Sequence, residues 1–192
     1  MRLHGVMTTI TDTFPGYVAG TWNLDPTHSE VTFSVKHLAI SKVRGSFKEF
    51  TATLVTAEDP TQSTATATIQ VGSVDTNQKD RDNHLRTSDF FLVEEYPTME
   101  FVSTGVKTDG TDFTLYGDLT LRGVTKEITL KGEFGGITTD GYGQTKLGVA
   151  ANTRINRKDF GVNWNAALEG GGFTLGDDVT INVELQFVLQ AA

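Results

Sequence analysis

The chain has 192 residues, a size at which one all-β domain folds as a unit and buries a substantial core without staples. It has no cysteine, which excludes disulfides and thiolate metal sites. Sixteen basic against twenty-four acidic side chains leave a net charge of −8, a balance that disfavours nucleic acid and anionic membrane surfaces as partners.

Residues 1–18 show no hydrophobic period, are rich in Thr, and end near Pro15 and Gly16. They read as a flexible N-terminal arm, with a single domain over 19–192. Met1 to Thr8 lack the continuous apolar stretch of a secretory signal, so a cytoplasmic location is expected. No apolar run reaches the length of a membrane span, so stable membrane insertion is not expected.

From Ala19 onward the apolar residues alternate with a period of two, as strands with one buried face require. Val31, Phe33 and Val35 alternate with Thr32, Ser34 and Lys36. Ala65, Ala67, Ile69 and Val71 follow, then Phe113, Leu115, Leu119 and Leu121, then Ile128, Leu130 and Phe134, then Leu147, Val149, Ala151 and Ile155. The last run is the clearest, with Val179, Ile181, Val183, Leu185, Phe187 and Leu189 in one phase. Strands are expected near 20–26, 30–40, 43–57, 64–74, 98–108, 111–122, 124–135, 145–157 and 178–190. Asp109-Gly110 and Arg122-Gly123 suit tight hairpins, and Gly135-Gly136 with Asp140-Gly141 are expected in the next connection.

Long strands would expose a long sheet edge, and closing the sheet removes it. The expected architecture is therefore a closed antiparallel barrel of about eight strands. Two segments depart from the β pattern. Gln78 to Phe91 has helical spacing, with Asp82–Arg86 and Asp80–His84 four apart and able to pair, and it ends before Pro97. It reads as a short lid helix over the barrel. Asn156 to Gly176, with Gly170-Gly171-Gly172, reads as a loop at one barrel end.

The inward phase mixes bulky residues with Ala65, Ala67, Gly117, Gly132 and Ala151. These small residues either leave room for a guest or seat bulky neighbours across the barrel. The residues expected to line an interior site are Phe33, Val35, His37, Ile69, Phe101, Leu115, Leu119, Ile128, Leu130, Val149, Val183 and Leu185. His28 is expected at a barrel mouth, near a ligand's head group or capping carbonyls. His37 either donates to a ligand or is a satisfied core histidine. Arg81 and Arg86 belong to a salt-bridged lid, near a head group. Arg157 continues the inward phase of Thr153 and Ile155, so it needs a buried partner, either Asp159, Asp89 or a lipid phosphate.

No catalytic residue is assigned. Asp82 and His84 are two apart and do not share a helical face, and no serine or cysteine nucleophile stands nearby in a recognisable motif. Four histidines without paired spacing give no metal site.

Four stretches resemble the YceI-like family: His28-Ser29 with VTFSVKH at 31–37, RDNHLRTSDFFLVEEYPTMEFVST at 81–104, GDLTLRGVTKEITL at 117–130, and INRKDFG at 155–161. The resemblance spans roughly residues 20 to 190 and implies a lipocalin-like barrel. It also implies a homodimer that non-catalytically binds, stores or transports a long-chain lipid, such as a polyisoprenoid, a quinone-like or a fatty molecule. No cofactor beyond that ligand is expected. Two other readings stand beside it. One is an enzyme acting on a small amphiphile through His28, His37 or the 81–89 cluster. The other is a filled barrel whose outer surface serves as a protein-interaction module.

Overall fold

A computed structural model describes residues 13–192. Eleven β segments form one antiparallel sheet. They are β1 (Gly20–Leu24), β2 (Glu30–His37), β3 (Ser41–Phe47), β4 (Phe50–Thr56), β5 (Thr64–Gln70), β6 (Val74–Asp75), β7 (Thr98–Asp109), β8 (Asp112–Leu121), β9 (Val124–Thr139), β10 (Thr145–Asn156) and β11 (Leu175–Leu189). Among the described residues, an α-helix, α1 (Lys79–Leu85), is inserted before β7.

The pairing register reduces these eleven segments to eight staves. β1 and β2 both pair with β11, through Trp22↔Leu189 and Val31↔Val183, so they are one stave broken by the 3₁₀ turn Pro26–His28. β3 and β4 continue each other beside it, and β5 and β6 form the third stave. At their shared kink, Lys48 N–H donates to Ser73 O at 3.2 Å and Gln70 N–H to Glu49 O at 2.9 Å. β7 to β11 then follow as simple neighbours, and the β1–β11 pairing closes the ring. The result is an up-and-down barrel in which each stave lies beside its neighbour in sequence.

The turns follow local chemistry. Gly110 has φ +60, and Arg122 and Gly123 have φ +50 and +73, the positive values that tight hairpins demand. Gly135 and Gly136 differ from expectation. They lie inside β9, which runs on to Thr139, and the register against β10 slips there, so they form a bulge. The long segment expected at 43–57 is broken at Lys48-Glu49.

The helix is shorter than the 78–91 pattern suggested and covers only Lys79–Leu85. Gln78 caps it by accepting the Arg81 N–H at 2.6 Å. The Asp82–Arg86 and Asp80–His84 pairs do not form. Asp82 is buried and accepts from Thr76 N–H and Oγ1, at 2.8 and 2.5 Å. His84 meets Asp89 at 2.8 Å instead. Tertiary partners outcompeted the pairs because exposed helical ion pairs are worth only a few tenths of a kcal/mol, ~0.3–0.5.

The two barrel ends differ. At one end lie the β2–β3 turn, the 76–97 segment with α1, the β8–β9 turn and the 157–174 loop. Here Phe90, His84 and Trp164 stack with centroids 5.0 to 5.3 Å apart, and Phe90 and Phe160 are buried. Arg122 Nη1 donates to Ser88 O and Phe90 O at 2.7 and 2.6 Å, tying the β8–β9 turn to the lid. At the other end lie Phe14–Ala19, the 57–63 loop and the β7–β8 and β9–β10 turns.

Candidate functional site: an apolar cavity closed at one end

The barrel holds an elongated cavity that offers about 240 Å³ to the centres of water-sized groups. One water needs only ~10–15 Å³ on that measure, so the space is far larger than a packing defect. Its walls are almost wholly hydrocarbon and aromatic. From the middle of the barrel it runs to the end opposite the lid, where Pro60, Ser63, Thr64, Thr108 and Thr111 rim it. The lid end is filled by Val71, Val74, Phe90, Phe160 and Val162, so the cavity is blind.

Nine of the twelve expected lining residues meet in this cavity: Ile69, Phe101, Leu115, Leu119, Ile128, Leu130, Val149, Val183 and Leu185. Each comes from the inward phase of its strand. Phe33, Val35 and His37 do not line it. They lie on the lid-side half of β2, beyond the packed floor, where Phe33 stacks on Phe47 at 5.4 Å and covers Gly45. Inward phase gave the side of the wall but not the height at which the cavity ends.

The small residues divide by type. Ala52, Ala65, Ala67 and Ala151 line the cavity. Gly117 and Gly132 leave no room, because Phe101 and Phe113 occupy it. A Cβ on Gly117 would sit 2.4 Å from the Phe101 ring, and one on Gly132 would sit 2.3 Å from Phe113. The glycines therefore seat the two rings that help shape the cavity.

None of the four expected head-group residues reaches the cavity. His28 is exposed on the outer wall, where Nδ1 lies 2.9 Å from Asp25 Oδ2. Lys146 Nζ reaches the same carboxylate at 2.8 Å. The Lys146 ammonium foremost, and then the His28 ring, hold the Asp25 carboxyl far below the ordinary range. Arg81 donates from Nε and Nη2 to Thr76 Oγ1 and O, both at 2.7 Å. Arg86 donates to Gly72 O, Asn83 Oδ1 and Val74 O. Both arginines thus fasten α1 to the β5–β6 stave.

Arg157 is buried, as its phase required, but its partners are neither Asp159 nor Asp89 nor a free cavity. Nε donates to Gly176 O at 2.9 Å, and Nη1 to Val162 O and Trp164 O at 2.8 Å. Nη2 makes no hydrogen bond and stands 3.8 Å from Asp177 Oδ1. Burial pushes this guanidinium's pKa down, and Asp177 opposes the shift. The side chain braces the 157–174 loop.

Among the described residues, no Lys, Arg or His lines the cavity, and no group of three or more His, Asp or Glu gathers where a metal ion would sit. No helix among them is long and apolar enough to cross a membrane. Sequence reasoning missed part of the lining, in particular Phe14 and Tyr17 from the arm and Phe50, Ala52 and Leu54 from β4. The alternation Phe50, Ala52, Leu54 carried that signal. For Phe14 the signal was the turn-forming Pro15-Gly16 that follows it.

Comparison with known proteins agrees with the geometry. Residues 22–187 match the YceI-like domain. A UPF0312 protein of Staphylococcus epidermidis is 40% identical over 168 residues, 86% of this chain and 96% of that protein. A Campylobacter jejuni YCEI protein of known structure has a TM-score of 0.68 and 33% identity, covering 81% of this chain and 90% of that one. A polyisoprenoid binding domain from Saccharophagus degradans shares the fold, with a TM-score of 0.68 at 16% identity, over 90% of this chain and 100% of that one.

Proposed function

Because this chain belongs to the YceI-like domain family, we propose that it holds one long apolar lipid, such as a polyisoprenoid, a quinone-like molecule or a fatty chain, without reacting with it. The observation that carries the proposal is the blind apolar cavity, whose mouth lies at the hydroxyl-bearing rim. A hydrocarbon guest gains roughly 25 cal/mol for each Å² it buries, so a tail hiding ~200 Å² gains about 5 kcal/mol before ordering costs. Walls that are nearly all apolar, with a buried hydroxyl such as Thr153 already donating to Thr129 O, accept such a tail and penalise a polar one.

The tail lies against Leu119, Ile128, Leu130 and Val183, and the head stays at the rim by Ser63, Thr64, Thr108 and Thr111. With no cation among the described lining residues, an uncharged head fits better than a diphosphate, whose charge would meet no counter-charge there. The polyisoprenoid-binding description of the Saccharophagus domain supports the class of tail. We retain a homodimer and a cytoplasmic location as parts of this proposal, the first to be read from light scattering of the purified chain and the second from cell fractionation.

The test is organic extraction of purified protein followed by mass spectrometry, with uptake of added prenyl alcohols as the second arm. A stoichiometric long-chain lipid, or saturable uptake, is expected. Neither appearing would overturn the proposal.

A further inference from the structure

The cavity mouth is covered by a piece of chain that lies before the matched family region, which begins at Trp22. Phe14-Pro15-Gly16-Tyr17 forms a reverse turn. Tyr17 N–H donates to Phe14 O at 2.9 Å, and Gly16 has φ +81. Pro at the second position and a positive-φ Gly at the third are the signature of a type II turn. The turn has a rigid shape of its own, and that shape aims two aromatic rings at the barrel.

Phe14 is 8% exposed, although it precedes the first strand. It lines the cavity and meets the Phe134 ring edge-on at 4.9 Å. Tyr17 also lines the cavity, and its hydroxyl donates to Ala57 O beside Ser63 Oγ, on the far lip of the mouth. The strap therefore crosses the opening from the β9 side, by Phe134, to the β4–β5 loop. It is held by a few side-chain contacts: the Phe14–Phe134 pair, the Tyr17 hydroxyl at Ala57 O and Ser63 Oγ, the Thr56 hydroxyl on Val18 O just after it, and a close approach of Gly16 to Ile137, where an added Cβ would meet Cγ2 at 3.4 Å. No ladder of backbone bonds secures it, since the sheet begins only at Gly20.

We infer that Phe14 is a displaceable stopper: it closes the mouth of the cavity whether or not a guest lies beneath it, and swings aside to let a lipid tail enter or leave. This rests on the carrier reading above. A ring that must leave the mouth before a tail can pass raises the barrier to entry and to exit alike, so the strap slows exchange in both directions and changes final affinity less than it changes the rates. The strap lies before the residues that the family model matches, 22–187.

The experiment follows a geranylgeraniol carrying an NBD fluorophore at its head by stopped-flow, with the full chain and two variants, Phe14→Ala and Tyr17→Phe. Phe14→Ala is expected to speed both uptake and release by about tenfold, the scale set by removing one aromatic's apolar contacts, with a much smaller change in Kd. Tyr17→Phe keeps the ring, loses the bond to Ala57 O, and is expected to shift both rates the same way by a smaller factor. Binding by Phe14→Ala but not by the parent chain also supports the stopper. Unchanged rates in both variants, with the probe bound, would overturn it and leave the carrier reading standing. Faster release alone, with Kd weakened in proportion, would make Phe14 a wall of the site and overturn it too. No binding by any form would sink the carrier reading and the stopper with it.

Discussion

The indole nitrogen of Trp22 donates a hydrogen bond to the Thr56 hydroxyl at 2.9 Å, and that hydroxyl donates in turn to Val18 O at 2.8 Å. Trp22 is fully buried on β1, the segment that pairs with both β4 and β11 and so closes the ring. The relay joins β1 to β4 through side chains as well as backbone. Thr56→Val keeps the shape and leaves a buried N–H without an acceptor, which costs about 1–3 kcal/mol. Urea unfolding should show that loss, and Thr56→Ser should recover most of it. Equal stability of the valine variant would mean that water replaces the hydroxyl.

The alanines and glycines of the inner face should respond oppositely to added bulk. Ala67 faces the cavity between Ala52 and Phe101 in the ladder. Ala67→Phe should lower lipid uptake by about tenfold while stability moves by less than ~1 kcal/mol, since the new ring enters free space. Gly117→Ala places a methyl against the Phe101 ring and Val102 O, and should cost about 1–3 kcal/mol. Uptake titrations paired with denaturation curves separate the two effects.

Arg157 should matter for stability and not for the ligand. Its guanidinium satisfies three carbonyls and lies outside the cavity lining. Arg157→Met strands those carbonyls at a cost of about 3 kcal/mol and loosens the loop that carries Trp164. Near-UV dichroism of the tryptophans should weaken while lipid affinity persists. A selective loss of affinity for phosphorylated lipids would instead restore the head-group role expected from sequence.

The Asp25–Lys146 pair predicts a pH dependence. Folding lowers the Asp25 pKa, chiefly through Lys146. A carboxyl depressed by folding contributes stability that is complete above its unfolded pKa of about 4 and fades as pH falls through the folded value. Asp25→Asn should therefore destabilise the protein most near neutrality, and the gap from the parent should close as the solution is acidified below about pH 4. Thermal unfolding at a series of pH values measures this. A gap that is constant with pH would remove the ion pair from the account.

The chain's β character, its eight-stave closure and nine of the twelve proposed lining residues were legible in sequence. A pleated strand sends alternate side chains to opposite faces, so Val179, Ile181, Val183 and Leu185 announce their side of the wall locally. The charged residues were legible only as groups in need of partners. Arg157 could be placed inside by phase, but its carbonyl partners come from positions 162, 164 and 176, brought together by a loop with no period to read. Arg81, Arg86 and His28 were likewise drawn to backbone and to Asp25 by folding.

What the sequence determined alone was the alternation, the turn chemistry and the absence of cysteine, because each is fixed by one residue or its immediate neighbours. Only the tertiary structure decided which small residues leave space and which seat a ring, how deep the cavity runs before Phe90 and Phe160 close it, and that Phe14 stands in its mouth. Those outcomes depend on distances between side chains far apart along the chain, and a void is set by what every surrounding residue fails to fill.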